Sequence, residues 1–172
     1  RYLKAIGVLE GGQLVEVTRG DLVGQYVGHT APLTQKAIQS ALGGVLFIDE
    51  AYSLYRGKDD SFGLEAIDTL VKGMEDHRDD LVVILAGYSR EMEEFLTANS
   101  GLRSRFPNII EFPDYTAGEL VEITKSIVAS KGYRLAPACE IPLLAYYQRQ
   151  QQEGDPRTNG NGRMARNKVE EA

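Results

Sequence analysis

Val45-Leu46-Phe47-Ile48 is an unbroken apolar run that ends abruptly in two carboxylates, Asp49 and Glu50. A strand with one face in water alternates apolar and polar residues. A run without alternation is covered on both faces, as in a parallel sheet clad with helices. Leu81-Val82-Val83-Ile84-Leu85-Ala86 has the same texture, and Leu14-Val15-Glu16-Val17 reads as a shorter strand with partial alternation. Ile109-Ile110-Glu111-Phe112 reads as a further strand. Between these runs lie helical patterns. One starts at Thr30 as N-cap, has Pro32 in its first turn, carries Ile38 and Leu42, and stops at Gly43-Gly44. Another places Leu64, Ile67, Leu70, Val71 and Met74 on one stripe, a core-facing pattern. Strands alternating with helices predict an α/β fold around a parallel sheet.

The ends of the chain have other textures. Residues 1–10 read as the tail of a helix with Leu3, Ile6 and Val8 apolar, broken by Gly11-Gly12. Past Pro113, Thr116-Ala117-Gly118-Glu119 has the capping-box pattern, and the helix it opens carries Leu120, Ile123, Ile127 and Val128 before Gly132. A second helix is expected over about 138–151, its start delayed or bent by Pro142. Gln150 to Gly162 is polar and Gly/Asn-rich, a loop, and Arg163 onward is helical again. The expected organisation is an α/β unit over 1–113 and a small helical unit over 114–172.

The chain's 172 residues give room for one ordinary domain with a small lid. A formal net charge of -6 argues against a sequence-independent nucleic-acid binder, which presents a basic surface. Cys139 is the only cysteine, so neither an internal disulfide nor a cysteine-based zinc site forms, in keeping with a reducing cytosol. It reads as a small, partly buried residue on a helix. His29 and His77 share no metal-ligand spacing, and His77 sits among acids where it is simply solvated. No apolar run reaches the length of a membrane span, and no signal peptide or nucleophile elbow is visible.

Four patterns carry candidate chemistry. In open α/β sheets, ligands sit beyond the carboxyl ends of the strands. There Asp49 suits a Mg²⁺ ion, and Glu50 suits a base that orients or deprotonates attacking water. By themselves the two acids read equally well as a helix start favoured by the macrodipole. Arg103 and Arg105, in Gly101-Leu102-Arg103-Ser104-Arg105-Phe106-Pro107, suit a guanidinium offered to a nucleotide near the sheet's active edge; read alone, they are loop arginines paired with surface acids. Arg163 and Arg166 share a helix face at i,i+3 and suit phosphates approached from the lid side, or form a solvated basic face. Tyr26 and Val27, in Gln25-Tyr26-Val27-Gly28, suit a grip on an extended peptide, or pack the loop down.

The order of these pieces resembles the AAA+ ATPases. Val23-Gly24-Gln25-Tyr26-Val27-Gly28-His29-Thr30-Ala31, Gly43-Gly44 through Ser53-Leu54, and Ile84-Leu85-Ala86-Gly87-Tyr88-Ser89-Arg90-Glu91-Met92 are similar to the family of red-type rubisco activases and stage V sporulation proteins K. Asn161-Gly162-Arg163-Met164-Ala165-Arg166-Asn167 looks most like the sporulation branch. The similarity covers essentially the whole chain.

The resemblance implies roles for individual residues. Asp49 and Glu50 match the Walker B pair, and Arg105 matches the arginine finger acting on a neighbour, with Arg103 as helper. Arg163 matches sensor 2, with Arg166 beside it. Tyr88 stands where sensor 1 is usually Asn or Thr, Tyr26 matches the pore-loop aromatic, and Arg56 and Lys58 fall in the second pore-loop region. It implies ATP and Mg²⁺ as ligands, a hexameric ring, a protein substrate, no nucleic acid or membrane, and a cytoplasmic setting. One departure is large: G-x-x-x-x-G-K-[ST], the phosphate loop, occurs nowhere in the chain. The expectation is therefore a chain that begins after that loop and ends inside the lid. By itself it should bind ATP poorly and expose a sheet edge. The alternatives are a catalytically inactive scaffold or a clamp-loader-like ATPase. The retained Asp49, Glu50 and Arg105 count against the scaffold. The acidic balance and the Tyr-Val-Gly loop count against the clamp loader.

Overall fold

A computed structural model describes residues 5, 7, 9–98, 100–153 and 160–171; the expected helix tail at Leu3, Ile6 and Val8 lies outside them. The chain divides into two compact units, residues 1–110 and 111–172.

The first unit is built on three parallel strands, β1 (Leu14–Val17), β2 (Gly44–Ile48) and β3 (Leu81–Leu85), in the order β1-β2-β3. Val17 lies beside Ile48 and Ile48 beside Leu85, so all three strands end on one edge. The connections are helical: the single turn α1 (Arg19–Leu22), then α2 (Thr30–Ala41), α3 (Ser61–Asp76), α4 (Ser89–Ala98) and the short α5 (Ser100–Arg105). A 3₁₀ turn spans Ala51–Leu54. Leu46 and Ile48 of β2 are fully buried with Ile38 and Ala41 of α2, Ile67 and Leu70 of α3, Phe95 of α4 and Leu102 of α5 in one cluster. Val45 and Phe47, on the other face of β2, are only half-buried. The covering expected for an unalternating run is thus complete on one side and partial on the other.

Two local expectations change. Ile109-Ile110-Glu111-Phe112 forms no strand, and Ile109, Ile110 and Phe112 stand exposed. Apolar, branched residues favour an extended backbone, but a strand needs a neighbour to complete its hydrogen bonds, and none of the described strands pairs with this one. Thr30 is not the cap of α2 but its first residue; His29 precedes it and makes no capping bond. The Thr30 hydroxyl, fully buried, instead accepts a hydrogen bond from the Gly24 amide at 3.0 Å and closes the loop between them. Gly43, at φ +72°, provides the left-handed turn after α2 that other residues reach only with strain.

The second unit packs α6 (Ala117–Ser130), α7 (Glu140–Glu153) and α8 (Gly162–Glu170). The Thr116–Glu119 capping box forms: the Glu119 carboxylate accepts from the Thr116 amide at 2.7 Å, and the Glu119 amide donates to the Thr116 hydroxyl at 3.3 Å. The first of these, with a bond from the Thr116 hydroxyl to the same carboxylate at 2.9 Å, holds the Glu119 carboxyl below its usual range. Pro142 falls in the first turn of α7, where its missing N–H costs nothing, behind a 3₁₀ turn at Pro137–Cys139. Helix α7 runs on through residues 150–153, which the polar composition placed in a loop, while 154–159 lie outside the described residues. Cys139 belongs to the 3₁₀ turn and is exposed, not partly buried on a helix. Among the described residues, no helix is long and apolar enough to cross a membrane.

Ala117, Leu120, Val121, Tyr147 and Ala165 form the core of this unit. Thr124 donates to the Leu120 carbonyl at 2.8 Å, which leaves the Tyr147 hydroxyl to donate to Thr124 across 2.7 Å. Burial pushes the Tyr147 phenol up from its ordinary range. Tyr147→Phe keeps the ring and loses this bond. It is expected to lower the stability of the unit by about 1 kcal/mol, read as a lower midpoint in thermal or urea melting.

Candidate functional site

The strand polarity dictates where the acids go. Ile48 is the last residue of β2, so Asp49 and Glu50 emerge at the carboxyl edge of the sheet, both exposed. Asp49 continues the sheet's bonding for one more residue, its amide donating to the Val17 carbonyl at 3.0 Å. Its carboxylate accepts from the Glu50 amide at 3.0 Å. Glu50 has φ 48° and ψ 46°, a left-handed conformation that a residue with a Cβ adopts only at a cost. The turn is held from both sides: Ala51 donates to the Ala86 carbonyl at 3.0 Å, and Ser53 donates to the Glu50 carbonyl at 2.8 Å. The left-handed turn ends the run of β2 while the backbone stays bonded to Ala86, the residue after β3.

Tyr88 reaches the same edge from β3. It is exposed, and its ring lies 6.3 Å from that of Tyr52, tilted by 33°. Tyr52 in turn covers Gly87, where an added Cβ would meet the ring at 2.7 Å. Burial raises the Tyr52 phenol, and Glu50, Tyr88, Glu91 and Asp49 nearby add to the effect. Asp49, Glu50 and Tyr88 therefore share one edge, with Tyr52 packed among them. The sequence reading passed over Tyr52; its only signal is its place two residues beyond the carboxylate pair.

Among the described residues, no three His, Cys, Asp or Glu side chains cluster as a ready-made metal site. Mg²⁺ does not require one, since it commonly takes one or two carboxylates together with waters and substrate phosphates. The exposed Asp49 carboxylate with Glu50 beside it fits that demand.

Arg105 lies elsewhere. The sequence reading placed it in a loop near the active edge; it is the last residue of α5. Its Nη2 is 2.7 Å from a Glu75 carboxylate oxygen, and it donates to the Gly101 carbonyl at 3.2 Å. Arg105, Ser104, Glu75, Met74, Arg78 and Leu81 line an open cavity of about 420 Å³. Leu81 is the first residue of β3, whereas Asp49 follows the residue paired with Leu85, the last one. At roughly 3.3 Å per residue the two ends are about 13 Å apart. The reason is topological: α4 carries the chain back from the active edge to the opposite end before α5 begins. Arg103 is exposed on the same short helix.

Tyr26 and Val27 are exposed at the tip of the loop between α1 and α2. The Tyr26 ring meets His29 edge-on at 5.5 Å. Arg163 and Arg166 are exposed on α8. The entry to α8 is fixed by Asn161, at φ 44°, whose side chain accepts from the Tyr115 amide at 3.1 Å and donates to Asp114 at 2.9 Å. Arg163 sits in the first turn, where the helix dipole disfavours a cation, so helix stability does not account for it. His77 is less solvated than its acidic surroundings imply, lying half-buried 3.7 Å from Asp80.

One residue that the sequence reading missed sits between these parts. Arg19 is paired with Asp60 at 2.8 Å, with 17% and 15% of the two side chains exposed. Hydrogen bonds from Arg19, helped by one from the Gly63 amide, hold the Asp60 carboxyl below its usual range against the effect of burial. A carboxyl lowered by folding stabilises fully above its unfolded value and loses that contribution as pH falls through the folded one. Stability is accordingly expected to fall below about pH 4 partly through Asp60, and Asp60→Asn should flatten that acid limb in melting curves taken from pH 6 down to 2. The available signal was Thr18-Arg19-Gly20-Asp21, a cap pattern directly after a strand.

Comparison with known proteins agrees with the α/β fold. The model for the ATPase family associated with various cellular activities (AAA) matches residues 3–114, and that for the AAA lid domain matches residues 116–172. Stage V sporulation protein K of Bacillus subtilis (strain 168) is 50% identical over 97% of this chain and 52% of its own length. The chloroplastic ribulose bisphosphate carboxylase/oxygenase activase of Cyanidioschyzon merolae is 47% identical over 99% of this chain and 57% of its own length. Protein CbbX of Cereibacter sphaeroides is 52% identical over 84% of this chain and 47% of its own length. The chain spans about half the length of these curated relatives. With a parallel sheet that presents Asp49 and Glu50 at its carboxyl edge, and with both family models matched along the chain, this chain belongs to the ATPase family associated with various cellular activities.

Proposed function

We propose that the protein to which this chain belongs hydrolyses ATP and couples the hydrolysis to remodelling or threading of a protein substrate, as a ring of six copies in the cytoplasm. The observation that carries this reading is the strained, doubly anchored turn that sets Glu50 next to Asp49 at the sheet's edge. In the reaction, the oxygen of a water bonds to the terminal phosphorus of ATP, the bond to the bridging oxygen of ADP breaks, and the water's proton passes to the Glu50 carboxylate. Asp49 would hold Mg²⁺, which when bound supplies positive charge against the phosphates. Tyr88, beside them, offers a phenol to the same space. Arg105 lies too far from its own Asp49 to serve it, so it acts on the nucleotide of an adjacent copy, with Arg103 nearby. Arg163 and Arg166 bind phosphates from the lid, and the exposed Tyr26-Val27 tip grips the substrate chain.

The sequence holds no phosphate loop, so this chain alone is expected to bind ATP weakly. The alternative is an AAA module that only scaffolds. ATP hydrolysis measured against protein concentration, for this chain and for the full-length gene product, separates the two. Turnover by the full-length product that rises more steeply than its concentration supports the motor. A full-length product that binds no nucleotide would leave the scaffold as the function.

A further inference from the structure

Helix α1 is a single turn that follows β1 after one residue and leads straight into the Tyr26 loop. Its cap is complete, with the Asp21 carboxylate accepting from the Thr18 amide at 2.8 Å and from the Thr18 hydroxyl at 2.9 Å. The turn is also fastened to the loop's far side, because Thr34 of α2 donates to the Leu22 carbonyl at 2.9 Å and Gly24 donates to Thr30 at 3.0 Å. Arg19 reaches out of this turn in the opposite direction. Its Nη1 donates to the Ser53 carbonyl at 2.8 Å and to the Leu54 carbonyl at 3.1 Å, and its Nη2 donates to Asp60 at 3.1 Å. Asp60 also accepts from the Gly63 amide at 3.1 Å and caps α3.

Ser53 is the residue whose amide donates to the Glu50 carbonyl. Two hydrogen bonds therefore separate Glu50 from Arg19, and Arg19 is rooted three residues past Glu16. One guanidinium spans the turn that follows the carboxylate pair, the start of α3 and the root of the Tyr26 loop. The fork is partly buried and donates three hydrogen bonds, whereas Tyr26 and Val27 at the loop tip are exposed.

We propose that Arg19 is a positioning residue that relays the state of the Asp49–Glu50 turn to the Tyr26 loop. A shift of the turn when nucleotide binds moves the Ser53 and Leu54 carbonyls, and Arg19 carries that movement into α1 and the loop it leads into. The relay rests on the reading of Asp49 and Glu50 as part of a nucleotide site. It gives the chain a residue that touches neither nucleotide nor substrate and yet joins their two sites.

Hydrogen–deuterium exchange of the full-length gene product tests it, with and without the β,γ-imido analogue of ATP and Mg²⁺. In the unmutated protein the analogue is expected to change exchange in peptides covering residues 20–30 and 51–60. In Arg19→Ala the analogue should still bind and still alter 51–60, while the response of 20–30 falls by at least half. A role in stability alone would shift the melting temperature and leave that response in place. Arg19→Lys decides the matter if Arg19→Ala does not fold, since an ammonium keeps the charge but cannot span both carbonyls and the carboxylate. A full response of 20–30 in the deciding variant overturns the relay while leaving the site reading intact. So does an unmutated protein that binds the analogue without any change at 20–30. If the unmutated protein binds no analogue, the reading of Asp49 and Glu50 falls and takes the relay with it.

Discussion

Replacing Glu50 by glutamine in the full-length gene product is expected to lower ATP turnover by about 10²–10⁴-fold while ATP still binds. Glutamine keeps the shape of the side chain and loses its capacity to take the water's proton. Asp49, the proposed Mg²⁺ ligand, is untouched, so binding measured by a fluorescent nucleotide should change little. The backbone offers a second readout. Glu50 sits at φ 48°, and a residue with a Cβ in that region costs about 1–2 kcal/mol. Asparagine tolerates the conformation better, so Glu50→Asn should abolish turnover without lowering the melting temperature. Strain held for catalysis predicts loss of activity with stability kept or raised. If Glu50→Asn instead melts lower and retains turnover, Glu50 is a structural residue and the base lies elsewhere.

Arg105→Ala is expected to cost about 10³–10⁵-fold in turnover of the assembled protein, the range that arginine fingers command elsewhere. Its melting temperature should hardly move. The ion pair with Glu75 is solvent-facing, with 31% and 68% of the side chains exposed, and such pairs contribute about 0–1 kcal/mol. The position of Arg105 adds a sharper expectation. Under the proposed function it serves another copy, because it stands at the opposite end of β3 from Asp49. Mixing Arg105→Ala with Glu50→Gln should then restore part of the turnover, since one copy supplies the base and its neighbour the guanidinium. A mixture no more active than its two components would mean that Arg105 does not act across an interface.

The strands at Val45 and Leu81 were legible because their runs are apolar at every residue, and the one at Leu14, which Glu16 interrupts, from its partial alternation. The carboxylate edge followed from polarity: residues after a strand in such a sheet emerge at one end. The cap at Thr116 was legible because a capping box is a bond between residues three apart. Failures came where a partner distant in sequence decides. Ile109-Ile110-Glu111-Phe112 has the composition of a strand and no ladder to join. Thr30 looks like a cap, yet the Gly24 amide claims its hydroxyl. Arg105 reads as a loop residue at the active edge, until α4 is seen to carry the chain back across the sheet.

What the sequence determined alone, then, is the three parallel strands, the helices α2, α3, α6, α7 and α8 and the edge at which the carboxylates appear, because periodicity, capping and strand polarity are local properties of the chain. The tertiary structure decided which side chains meet: the left-handed turn at Glu50, Tyr52 laid over Gly87, Arg19 bound to carbonyls 34 and 35 residues away, and Arg105 set against Glu75. Those contacts depend on how helices pack across the sheet, and packing brings together residues whose spacing along the chain carries no trace of it.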